Sequence, residues 1–139
     1  MQLRRLPFPA EDSEEPRCRI FALGEDGKWP VADFLAQAAE DHVDDFSKLT
    51  ALLIRSAEHG LPSNKQKVRQ LKGCGGLKEF KAGCLRLFFF HDKGRLVICT
   101  HGIVKKSQQT PQKDLKTATR RMKAYKAASK RNQVTIIEP

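Results

Sequence analysis

The side chains with the strongest chemical potential fall between Leu77 and Pro111, in GLKEFKAGCLRLFFFHDKGRLVICTHGIVKKSQQTP. Lys81, Arg86, Lys105 and Lys106 are cations carried by or just after three consecutive apolar segments, and His101 ends the third. Residues two apart in a strand share a face, so cations from adjacent strands would converge on one phosphate. A lysine crowded by other cations loses its proton more readily, and an imidazole exchanges protons near neutral pH. Arginine stabilises negative charge without changing protonation state. Each residue also has a plain structural reading. Arg86 would pair with Glu79, Lys105 and Lys106 would be a solvated turn, and His101 would be a buried, hydrogen-bonded histidine.

The elements that must position these groups follow from periodicity. The run CRIFAL alternates and ends at the Asp26-Gly27 turn signal, as expected of a first strand. Pro30 suits a helix start, with Val31, Phe34, Leu35 and Ala38 on one face. A second helix, capped by Asp41 and stopped by Gly60, carries Val43, Phe46, Leu49 and Leu53. The period then shortens. Val68–Leu71, LKEFKA, CLRLFFFH and RLVICTHGIV read as strands, the last two joined by a turn at Asp92-Lys93-Gly94. Phe88 and Phe90 share a face opposite Phe89 and are expected in the core. Residues 111–130 return to helical spacing, with Leu115, Ala118, Met122 and Tyr125 on one side and a basic face including Lys116, Arg120 and Lys123 on the other. The closing VTII is an edge strand or a loose tail.

This order predicts an α+β fold in which helices cover one face of a mostly antiparallel sheet of about four strands, leaving the other face open. Residues 1–16, polar and acidic, are expected to be a mobile leader, 17–130 the folded domain and 131–139 a tail.

The chain has 139 residues, 26 Lys+Arg and 16 Asp+Glu. That size suits one domain. Residues 1–60 carry 7 Lys/Arg against 12 Asp/Glu, whereas residues 61–139 carry 19 against 4. Positive charge concentrated on part of a small domain favours a polyanionic partner through counterion release. No apolar run is long enough for a membrane span, and the N-terminal residues lack the apolar core of a secretion signal, so a cytoplasmic protein is expected. Cys18, Cys74, Cys84 and Cys99 show no metal-ligand spacing and read as reduced thiols. No nucleotide-binding loop, metalloprotease motif or nucleophile triad is present. No metal and no cofactor are expected.

Three segments also carry a resemblance. Gly76-Leu77-Lys78-Glu79-Phe80-Lys81, Leu85-Arg86-Leu87-Phe88-Phe89-Phe90, and His101-Gly102-Ile103-Val104-Lys105-Lys106-Ser107-Gln108-Gln109-Thr110-Pro111, followed by a basic helix, resemble the HigB-like branch of the RelE/ParE toxin superfamily. The resemblance spans about Arg17 to Lys126. It implies a RelE-like fold and a phage-derived toxin of a type II toxin–antitoxin module, a ribosome-dependent mRNA endonuclease that inhibits translation. It implies mRNA on the ribosome and a cognate helix-turn-helix antitoxin as partners, with no membrane partner. Position by position it implies catalytic roles for Arg86, Lys105, Lys106 and Lys81; His101, the one imidazole near them, is a second-rank catalytic candidate, and Glu79, Gln109 and the helix cations Lys116, Arg120 and Lys123 are candidate substrate-binding residues. The chain departs from the family at Lys78, Leu85 and Gln109, where tryptophan, tyrosine and lysine are frequent, and at Lys81, where arginine is usual. Two alternatives stand beside this reading: a non-catalytic binder of nucleic acid or gyrase, and an inactive phage-derived remnant.

Overall fold

The computed structural model describes residues 1–7, 17–93, 95–107 and 109–137. The chain forms β1 (Gln2–Arg5), β2 (Arg19–Gly24), α1 (Pro30–Asp41), α2 (Val43–His59), β3 (Val68–Gln70), β4 (Lys78–Ala82), β5 (Leu85–Asp92), β6 (Leu96–Val104), α3 (Gln112–Lys130) and β7 (Thr135–Ile137). All seven strands belong to one sheet in the order β3-β4-β5-β6-β2-β1-β7. The β3-β4-β5-β6 portion is antiparallel, whereas β2 runs parallel to β6 and β7 parallel to β1.

β2 shows why the sheet needs cover on both sides. Five of its six residues, Ile20 to Gly24, are buried, so it reads as a continuous apolar run. Its even-numbered members, Ile20 and Ala22, pack with Val31 and Ala38 of α1 and Leu49, Leu53 and Ala57 of α2. Phe21 and Leu23 face the other way, onto Met122 and Tyr125 of α3. β5 divides likewise. Leu85, Leu87 and Phe89 join the α1/α2 layer, where Phe89 stacks on Phe80 with centroids 4.2 Å apart. Phe88 and Phe90 join the α3 layer.

A β-bulge in β6 decides which side chains reach which layer. Phe88 pairs with His101 but Phe89 pairs with Cys99, so Thr100 is the extra residue. Val97 and Cys99 belong to the α1/α2 core. Strict alternation would send residues 101, 103 and 105 to the same side. The bulge reverses the parity, and His101 instead meets the Phe88 ring at 4.9 Å while Ile103 packs in the α3 layer. Arg121 of α3 donates to the Thr100 carbonyl at 3.3 Å, which satisfies the carbonyl exposed by the irregularity.

Several expectations need correction. The sheet has seven strands and mixed polarity, not about four mostly antiparallel strands, and two strands precede the helical hairpin. The helices are not confined to one face, because α3 covers the face opposite α1 and α2. Residues 2–5 of the expected leader are β1, held by antiparallel pairing to β2, with Leu3 buried; residues 8–16 lie outside the described residues. VTII resolves as edge strand β7 over Thr135–Ile137. The N-cap of α2 is His42 rather than Asp41, and Val43 is exposed rather than part of its apolar face. Gly94 of the expected β5–β6 turn lies outside the described residues. Among the described residues, no helix is long and apolar enough to cross a membrane.

A cationic cleft at the β3–β5 end of the sheet

α3 covers its face of the sheet as far as Phe88, through Leu115 and Ala118. Arg86, two residues back along β5, points to the same side but lines an open cleft of about 720 Å³. Arg69 of β3, Lys81 of β4 and Lys105, just beyond β6, line it too, together with Gln66, Cys84 and Ser107. Thus Lys81, Arg86 and Lys105 do come together, each from a different strand or its end.

Local geometry fixes each cation. Lys81 and Arg86 are direct cross-strand partners, joined by a turn at Gly83, whose φ of 58° suits glycine. Like charges placed directly opposite repel, so this pair lowers stability until an anion lies between them. Arg86 Nη1 donates to the Gly83 carbonyl at 2.7 Å and to the Leu85 carbonyl at 2.8 Å, which holds its guanidinium against the turn. The same turn is tied to α2, where Asp45 Oδ2 accepts from the Cys84 amide at 3.0 Å. That bond holds the Asp45 carboxyl below its ordinary value. Lys105 continues the β5–β6 ladder, its amide donating to the Cys84 carbonyl at 2.6 Å.

Beneath the cations lies Glu79, fully buried and paired with Arg69, Nη2 to Oε1 at 3.0 Å. Neither carboxylate oxygen accepts a well-aligned hydrogen bond from the described residues. A buried carboxylate needs opposite charge nearby, and here four cations share one. The excess is positive. Burial and the Arg86 guanidinium push the Lys105 ammonium below its ordinary value, assisted by Arg69 and Lys81 and opposed by Glu79. The Cys84 thiol, by contrast, is pushed up by burial and by Asp45, which disfavours the thiolate a nucleophile requires.

Other expected site residues sit elsewhere. His101 is not in the cleft. Its Nδ1 meets Thr100 Oγ1 at 3.2 Å and its Nε2 meets Asp114 Oδ1 at 3.4 Å, which ties the bulge to the first turn of α3. Burial and Arg121 push its pKa down against the opposing pull of Asp114. Lys106 and Gln109 are exposed and do not line the cleft. Glu79 is buried under the cleft, where its carboxylate orders Arg69. Lys116, Arg120 and Lys123 line a second cleft of about 580 Å³ between α3 and the loop carrying Lys72 and Cys74. Arg120 also meets Glu25 at 3.6 Å. Arg86 forms no ion pair with Glu79 among the described residues; Arg69 takes that partner.

Arg69 is the residue that sequence reasoning missed. Its strand was recognised, but only the register Arg69↔Glu79 shows that its side chain joins the face of Lys81 and Arg86. Among the described residues, no group of three or more His, Cys, Asp or Glu side chains is arranged to hold a metal ion.

Residues 37–123 match the family model described as "Phage derived protein Gp49-like (DUF891)". No curated protein matches the chain. The matched segment runs from the middle of α1 into α3 and contains every cation of both clefts, whereas β1, β2 and β7 lie outside it. More than half of the chain is covered, and the protein belongs to the Gp49-like phage-derived family, within the RelE/HigB-type toxin superfamily.

Proposed function

We propose that this protein is the toxin of a toxin–antitoxin module, of the HigB-like kind, and that it cuts messenger RNA on the ribosome in the cytoplasm until a cognate antitoxin, of helix-turn-helix type, covers the cleft. The observation that carries this reading is the convergence of Arg69, Lys81, Arg86 and Lys105 from separate strands on one open cleft. Such a cleft suits a phosphodiester. In RNA cleavage the ribose 2′-oxygen loses its proton and bonds to phosphorus, and the bond to the 5′-oxygen breaks. The products are a 2′,3′-cyclic phosphate and a 5′-hydroxyl. Negative charge builds on the phosphorane oxygens, and fixed cations stabilise it more than they stabilise the ground state.

Arg86 is suited to that task because two carbonyl contacts already hold its guanidinium. Lys105, with its ammonium pushed down by burial and Arg86, is the group best suited to accept the 2′-proton. Lys81 would hold the phosphate and return a proton to the 5′-oxygen. Induced expression with mapping of mRNA 5′ ends tests the reading. Cuts within translated codons that disappear in Arg86→Ala support it, and uncut mRNA in growth-arrested cells overturns it.

One observation favours a second reading, a non-catalytic binder of nucleic acid or gyrase. His101 is held by Thr100 and Asp114, so proton transfer in the cleft rests on lysine. Under that reading mRNA stays intact while nucleic-acid binding or gyrase inhibition depends on the same cations.

A further inference from the structure

The two basic clefts are joined. Between them lies a third depression of about 780 Å³ along the open edge of the sheet, lined by Lys65, Arg69, Gln70, Leu71 and Lys72. It shares Arg69 with the cleft of Arg86 and Lys105, and Lys72 with the cleft of Lys116, Arg120 and Lys123. β3 is the outermost strand at this end, and among the described residues no strand pairs with its free side. The far cleft has a partly apolar floor, with Leu115 and Cys74 beneath cationic side chains.

We infer that the edge of β3 is the path of an extended single strand of RNA, which runs from the phosphate held at Arg86 past Arg69 and Lys72 to a remote anchoring subsite on α3. The inference rests on the proposed nuclease reading for the identity of the polyanion and extends it to how the strand is held beyond the cut. Three features favour a nucleic-acid strand over an acidic protein. The cations are spread over three adjoining depressions linked through Arg69 and Lys72 rather than gathered in a single patch. The series starts where a phosphodiester would be held. The remote cleft pairs an apolar floor with cations, as a base and its phosphate require.

The geometry sets a length. Crossing from β5 to β3 takes two strand spacings, Arg69 to Lys72 takes three residues, and Lys116 to Lys123 takes two helical turns, roughly 30 Å together. An extended strand advances further per nucleotide than the roughly 3.4 Å of a stacked one, so that distance corresponds to fewer than about nine nucleotides.

The test uses the full-length protein and fluorescent RNA strands of four and twelve nucleotides, made uncleavable by 2′-O-methyl groups. Anisotropy titrations are run from low to moderate salt. The twelve-mer is expected to bind at least tenfold more tightly than the four-mer. In the triple variant Lys72→Gln, Lys116→Gln, Lys123→Gln that advantage disappears, and the slope of log K against log salt falls by about 2, near 0.7 per lost phosphate contact. Equal affinity for both lengths, or an advantage that survives in the variant, overturns the path. So does a polyglutamate peptide that competes as well as RNA, which would assign the groove to an acidic protein. Incubation with the unmodified twelve-mer on ribosomes is scored separately. Absence of cleavage there counts against the nuclease reading, while the length effect still decides the path.

Discussion

Arg86 and Lys81 face each other across β4 and β5 with like charge, an arrangement that a protein selected only for stability would avoid. Arg86→Ala should therefore separate function from stability. Cleavage or phosphate binding is expected to fall about 100-fold or more, the usual loss when a fixed donor to a developing anion is removed. The urea midpoint should stay level or rise, and a marked fall in it would reassign Arg86 to the scaffold. His101 is predicted to act on stability instead. Its pKa lies below the ordinary 6.5, so above that pH the imidazole is neutral in both folded and unfolded chains and its contribution is complete. As pH falls through 6.5 the unfolded chain takes up the proton first, and stability declines until the lowered native value is passed. His91, also lowered by burial, adds a decline of the same sign. His101→Asn should make the thermal midpoint less sensitive between pH 7.5 and 5, and an unchanged dependence would contradict the burial of a neutral imidazole at this position.

At the scale of elements, the bulge at Thr100 connects fold to site. The extra residue turns Lys105 away from the α1/α2 core and into the cleft, and the His101 tether holds the start of α3 beside it. Gly102 serves the other layer. It pairs with Leu87 of β5, and a side chain there would run into the Phe34 ring of α1. Within three residues, His101-Gly102-Ile103 thus accommodates one helix on each side of the sheet. Gly102→Ala should cost about 1–3 kcal/mol through overpacking, measured by urea unfolding. Pairing it with Phe34→Ala should bring its added cost close to zero, and an unchanged cost would rule out the ring as the obstacle. The histidine and glycine of the motif thereby acquire packing roles, while Lys105, which follows, lines the cleft.

Across the whole molecule the sheet separates two charge layers. α1 and α2 carry six Asp/Glu against two Lys/Arg, whereas α3 carries seven Lys/Arg against one Asp. The acidic front and basic rear of the sequence thus become opposite faces, and the field for a polyanion points to the face that holds the clefts. The far edge of the sheet is built from both ends of the described chain, with β1 between β2 and β7. Leu3 is 1% exposed and packs with Phe21, Leu23, Met122 and Tyr125. Leu3→Ala is expected to destabilise the fold by about 2–5 kcal/mol, read from chemical denaturation. A cost below 1 kcal/mol would show that β1 contributes little.

Much of this molecule was legible in the sequence because the signals are local. Periods of two and near 3.6 marked β2, both helices of the hairpin, β4 to β6 and α3, and the charge division along the chain foreshadowed the charge division in space. The motif residues Lys81, Arg86 and Lys105 proved to be neighbours. What was not legible depends on pairing between distant segments. β1 and β7 are too short to show a period, and the polar residues beyond β1 obscured it. Arg69 joins the site only through the register of β3 on β4, and His101 leaves it for a partner thirteen residues away. The bulge at Thr100 leaves no mark in composition, yet it sets the side to which every later residue of β6 points. Local sequence fixes which face alternates with which; only long-range pairing and its one irregularity fix what each face meets.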